Sequence, residues 1–272
     1  MPHPEGLTSK FATMLTCLLF IMLSPAHADA ETARQMVQQA VQTELQADKN
    51  DHTEWLYFET DLKPNHAVKQ WVAGTEKGSL ERVIEENGRH TSPQEQHNKI
   101  ESFIHDPGAQ EKRREANEND DRESVRMLNL LPHAFIWTES AAQGEDETLH
   151  FKPDPSFRPP DTESRVFAVM EGNMTIDKDH HRIVSIQGRM MKGVKFLGGI
   201  LGGLDPGGTF AVERRQTGHG EWQITETHVH IHGRVLFFKN ISEQEDDVKS
   251  QFRELPQNIT FRQAEDELMK QP

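Results

Sequence analysis

Residues 165–239 restrict the fold more than any other stretch of the chain. They read RVFAVMEGNMTID, RIVSIQGRMMKGVKF, GTFAVERRQT and EWQITETHVHIHGRVLFFK, runs of strand-forming residues separated by turn signals. Between the second and third lies FLGGILGGLDPGG, an apolar segment broken by glycines. This layout is expected to form an antiparallel meander with one flexible apolar loop.

The remainder supplies a second sheet segment and helices to cover it. Ala30–Leu45 places Met36, Val37, Ala40, Val41 and Leu45 at helical spacing, so an amphipathic helix docked on the sheet is expected. Thr53–Leu62, His66–Gly74 and Leu80–Glu86 read as strands, parted by Lys63-Pro64-Asn65 and Gly78 and followed by Asn87-Gly88. Pro93–His105 is a helix with proline at its start, broken by Asp106-Pro107-Gly108. Ala109–Glu123 carries charges and amides almost without apolar residues, the pattern of a solvated helix face or a mobile arm. Val125, Leu128 and Leu131 then resume a helical stripe up to Pro132. Phe135–Thr138 and Thr148–Lys152 read as short strands, and the prolines of residues 153–160 as an extended strap. Helices are expected over Gln244–Leu255 and Phe261–Met269, with a turn at Pro256-Gln257-Asn258. The fold class is therefore α+β: a curved antiparallel sheet covered by a few helices.

Lys10, the apolar run Phe11–Leu23 and the A-x-A arrangement of Ala26 and Ala28 form a secretory leader pattern. Residues 1–28 are accordingly read as a signal peptide and 29–272 as a single domain, periplasmic or secreted. The apolar run falls short of the ~20 residues that cross a bilayer, so no stable membrane span is expected after cleavage. Cys17, the only cysteine, lies in the leader. The mature chain would then have no disulfide, thiol nucleophile or cysteine metal site, and it is long enough to rely on its core. The 44 acidic against 30 basic residues give a net charge of −14. Nucleic-acid binding demands a basic footprint, so nucleic acid is not an expected partner.

Thr227-His228-Val229-His230-Ile231-His232 is the sharpest chemical signal. On a strand its three imidazoles share one face. Neighbours at i, i+2 stand ~6.6 Å apart, near enough to share one zinc, but the outer pair is ~13 Å apart. Glu226, His180 and His181 are further candidate ligands. The alternatives are a solvated face or a pH-responsive one. The segment Phe196–Leu204 matches no phosphate loop; it is either a plug over the core or a flap over an apolar cavity. No nucleophile elbow is present, and no catalytic residue, metal or cofactor is assigned.

The stretches Met170–Asp177, Arg182–Met190, Gly208–Val212 and Glu221–Phe238, with the leader, opening helix and early meander before them, resemble the periplasmic lipoprotein-sorting carriers (the LolA/LolB type). That resemblance implies a half-open barrel wrapped around an apolar concavity, and a role in outer membrane biogenesis. It leads to the expectation of a non-enzymatic envelope protein that binds a lipid, acyl chain or lipoprotein. Met174, Ile176, Phe196, Leu197, Ile200, Leu201, Phe210 and Trp222 are its expected ligand-binding residues. A periplasmic regulatory module with an envelope protein partner is the alternative. A metal-dependent hydrolase built on His228, His230 and His232 is a third reading.

Overall fold

The chain's strands join into one antiparallel sheet in which the first and last strands of the chain lie side by side. The computed structural model describes residues 25–195, 203–218, 220–234 and 240–272. The expected leader residues Lys10, Phe11–Leu23 and Cys17, and Phe196, Leu197, Ile200 and Leu201 of the apolar loop, lie outside them. Helix α1 (Pro25–Asn50) is followed by β1 (Glu54–Lys63), β2 (His66–Ala73), β3 (Leu80–Glu86) and β4 (Arg89–His90). Helices α2 (Pro93–Ile104) and α3 (Pro107–Ala134) precede β5 (Phe135–Gln143), β6 (Asp146–Pro153), β7 (Met170–Asp177) and β8 (Arg182–Met190). The short β9 (Val194–Lys195) and β10 (Gly203–Leu204), then β11 (Thr209–Gln216), β12 (Trp222–Arg234), β13 (Asn240–Leu255) and α4 (Phe261–Met269), complete it. The main order is β4-β3-β2-β1-β13-β12-β11-β8-β7-β6-β5, and the sheet stays open.

Register assigns each residue to a face. Met174↔Ile186, Ile186↔Val212, Val212↔Thr227, Thr227↔Asp247 and Asp247↔Asp61 run across the inner face. Asn173, Gln187, Ala211, His228 and Asp246 occupy the outer one. The helices cover opposite faces at opposite ends. Ala33, Val37, Ala40 and Val41 of α1, with Leu131 of α3, pack on Phe135, Trp137, Leu149, Phe151 and Met174 at the β5–β8 end of the inner face. Ile100 of α2 and Ala264 and Leu268 of α4 pack on Leu56, Trp71 and Ala73 on the outer face of the first meander. Each large buried side chain contributes ~1.5–3 kcal/mol. The chain passes from outer to inner face at the turn before α3, where Asp106 caps the helix by accepting from Ala109 N at 3.0 Å.

The charged half of α3 is a helix, so it is a solvated face and not a mobile arm. Arg113 holds it to the sheet through Glu81 at 2.9 Å, with its guanidinium 4.4 Å from the Phe103 ring. The helix also runs through Pro132 to Ala134. Two expectations are corrected. Gln244–Leu255 is not a helix but most of β13, a central strand bonded to β12 and β1 along both edges. Its polar composition suits a helix surface, but the backbone pairing offered by two distant strands outweighs local preference. Residues Arg165–Val169, read as strand, belong to a 3-10 helix over Glu163–Val169, and β7 begins at Met170. The expected cut after Ala28 falls in the first turn of α1, before every core-facing residue of that helix named above. Among the described residues, no helix is long and apolar enough to cross a membrane.

Candidate functional site

Helices α1 and α3 do not seat flush on the inner face. Between them and strands β8, β11 and β12 lies an apolar cavity of about 460 Å³. Its helical wall is Leu45, Val125, Leu128 and Leu131; its floor is Phe151, Ile186, Phe210, Val212 and Ile224. The helical wall exists because the stripe Val125-Leu128-Leu131 resumes where the charged run of α3 stops. The floor exists because alternate strand residues share one face. Gly172 and Gly188 sit opposite one another beneath it, and the Phe151 and Phe210 rings occupy the space their missing side chains leave.

One end of the cavity is closed by charge. Glu44, three and four residues beyond Val41 and Ala40 on the buried stripe of α1, is only 5% exposed. Its carboxylate accepts from Arg182 Nε at 3.1 Å and Nη2 at 2.9 Å, from the Ile183 backbone N at 2.8 Å, and from Arg214. Burial alone would raise the Glu44 pKa, but hydrogen bonds from Arg182 and the charge of Arg214 reverse this and hold it below the usual range. Arg214 also donates from Nη2 to Trp222 O at 3.1 Å. It stands two residues beyond Val212 on β11, so strand alternation puts it on the same inner face and turns its guanidinium toward α1 and β8.

Beyond this triad lies a second cavity of about 360 Å³, where Trp55, Tyr57, Trp222 and Phe252 meet Arg182, Arg214 and Lys249. Arg182 lies over the Trp222 ring at 5.8 Å, and Lys249 over Tyr57 at 5.7 Å. Farther along the inner face, Lys249 pairs with Asp247 at 3.1 Å. Burial raises the Asp247 pKa; Lys249 opposes the rise and Glu59 adds to it. The inner face thus changes from apolar to charged along its length.

The expected ligand-binding residues divide accordingly. Phe210 lines the apolar cavity, and Trp222 lines the second one. Met174 and Ile176 are fully buried in the core that includes Ala33, Val37, Ala40 and Val41 of α1, not on either cavity's surface. The triad of Glu44, Arg182 and Arg214 was missed. Its one legible signal was a glutamate on the apolar stripe of a helix, an expensive placement without a partner.

The histidine strand does place its imidazoles on one face, but the outer one, away from the cavity. His228 Nδ1 lies 2.6 Å, and His230 Nε2 3.1 Å, from the same Asp246 Oδ1. Among the described residues, the set of three groups close enough to share a metal ion is instead His97, Glu101 and Glu265, between α2 and α4. The Arg262 guanidinium already bridges those two glutamates, at 3.0 and 2.9 Å. Asp246 raises the His228 pKa above 6.5, and His228 lowers that of Asp246 below 3.8. The pair's stabilisation is full between these limits. It is lost as pH rises through the His228 value or falls through that of Asp246. At this exposure it is worth ~0.2–1 kcal/mol. In Asp246→Asn, proton NMR should show His228 titrating at lower pH than in the parent protein; an unchanged midpoint would remove Asp246 as the cause.

No family model, curated protein or solved structure matches this chain, so the site must be read from its own geometry.

Proposed function

We propose that this is an exported, non-enzymatic protein that binds an apolar ligand, such as the acyl chain of a lipid or lipoprotein, within its half-open sheet. The observation carrying this reading is the 460 Å³ apolar cavity between α1, α3 and the inner face. Its size falls in the ~300–1,000 Å³ range of small-ligand pockets. A well-packed core has few voids larger than a water molecule, and unfilled space on this scale forfeits dispersion contacts. Periplasmic placement and kinship with lipoprotein-sorting carriers belong to the same proposal and rest on the leader and strand pattern.

The test is native mass spectrometry of the purified protein with extraction of any added mass, alongside binding of the neutral dye Nile red. The expected result is a lipid adduct or saturable dye binding that falls at least tenfold in Val212→Trp, whose indole would fill the cavity. A bare mass with no saturable dye binding in the parent protein would reject the reading in favour of a protein-interaction module.

A further inference from the structure

We propose that the ligand is a single-chain amphiphile with an anionic head, its chain in the apolar cavity and its carboxylate or phosphate against Arg182 and Arg214. This rests on the binding reading above and adds to it the chemical class of the head. The apolar cavity and the aromatic, charged one share Asp48, Arg214 and Ile224 as common lining. A molecule filling the first therefore meets the Arg214 guanidinium where the apolar lining ends, with Arg182 in the second cavity beyond it. At ~30 Å³ for each water-sized group, 460 Å³ holds about fifteen such groups, the bulk of one medium chain and not two.

Charge balance selects the sign of the head. Two guanidiniums face one carboxylate in a triad whose side chains are 5%, 9% and 19% exposed, for Glu44, Arg182 and Arg214 respectively. One positive charge is left over where water screens it poorly. The carboxylate is already saturated by Arg182, Arg214 and the Ile183 N–H. One donor stays open: Arg182 Nη1 has no protein acceptor among the described residues, whereas Arg214 Nε, also without one, is shielded from the cavity. Asp48, Asp51 and Glu221 also line the second cavity and Asp48 and Asp121 the apolar one, and none forms an ion pair with either arginine. Asp48 is exposed, and Asp51 is engaged by the Thr53 N–H at 2.8 Å. Lys249 is occupied by Asp247 and Glu59. An anionic head accepting from Arg182 Nη1 would complete the triad, and charge-assisted hydrogen bonds of this kind are about twice as strong as neutral ones.

The experiment is displacement of Nile red from the purified protein at neutral pH by four probes of one chain length: tetradecanoate, tetradecyl phosphate, tetradecanol and tetradecyltrimethylammonium. Inorganic phosphate serves as a fifth. We expect tetradecanoate or tetradecyl phosphate to bind at least tenfold tighter than tetradecanol. Preference between the two anions separates a free fatty acid from a phosphate-headed lipid, and either preference supports the proposal. The advantage of the anions over tetradecanol should vanish in Arg182→Met and return in Arg182→Lys. Equal binding of the alcohol and the anions, or tighter binding of the ammonium probe, would overturn the anionic head while leaving the apolar-ligand reading intact. Displacement by inorganic phosphate as strong as by tetradecyl phosphate would overturn the amphiphile. Absence of dye binding in the parent protein would overturn both readings. The comparison of heads needs no variant, so a poorly folding mutant does not leave it open.

Discussion

Glu44→Ala is expected to lower the unfolding free energy by about 3–5 kcal/mol, the cost of stranding buried charges when one partner is removed. The two arginines that remain, Arg182 and Arg214, are both largely buried, and the Ile183 N–H loses its acceptor as well. Set against a total of ~5–15 kcal/mol for a domain, this would leave the protein near its unfolding threshold. Urea denaturation of parent and variant reads the difference, and a loss under about 1 kcal/mol would show that the triad is solvated. The triple change Glu44→Leu, Arg182→Met, Arg214→Met should recover much of the loss, since buried ion networks replaced by apolar groups are often near neutral. The sign with pH follows from the depressed Glu44 value. Its contribution is complete above the ordinary carboxylate pKa of 4.5 and disappears as pH falls through the folded one. Glu44→Ala should therefore show a shallower loss of stability than the parent protein on acidification below pH 4.5.

Gly172→Val should be more damaging still, at about 4 kcal/mol or more. A Cβ at this position would collide with the Gln187 carbonyl oxygen, come within 2.6 Å of Gly188 Cα and within 2.8 Å of the Phe151 ring. Backbone atoms of a neighbouring strand cannot rotate away as a flexible side chain can, so β7 and β8 would have to part. Ring displacement would also disturb Phe135 and Trp137, which pack on Phe151 at centroid distances of 4.6 and 5.3 Å. Circular dichroism melting and Nile red binding measure the two consequences. A variant that melts and binds dye like the parent would contradict the close pairing of these glycines.

Much of the architecture was legible residue by residue. The strands β1, β2 and β3 and the helices α2 and α4 fall within a residue or two of where alternation, turn residues and helix-start signals put them. Those signals are local: a proline at N1, a two-residue period on a half-buried strand. β13 was not legible, because its hydrogen-bond partners β1 and β12 are supplied by other parts of the chain. The same reason hid the site. Phe210 and Trp222 could be picked as apolar residues on a strand, but Trp222 shares the inner face only because β12 carries an extra residue, Thr225, between Glu226 and Ile224.

By itself, then, the sequence determined the local periodicities: the strands of the first meander, which helix faces are apolar, and that three histidines share one side. Tertiary structure decided what those faces meet. Glu44 lies 138 residues before Arg182, and β9 and β10 separate Arg182 from Arg214, so the three become one charge cluster only when α1 docks across β8 and β11. Local preference is set by each residue's own backbone and near neighbours. A buried carboxylate's partners are set by whichever distant groups packing brings within hydrogen-bond reach.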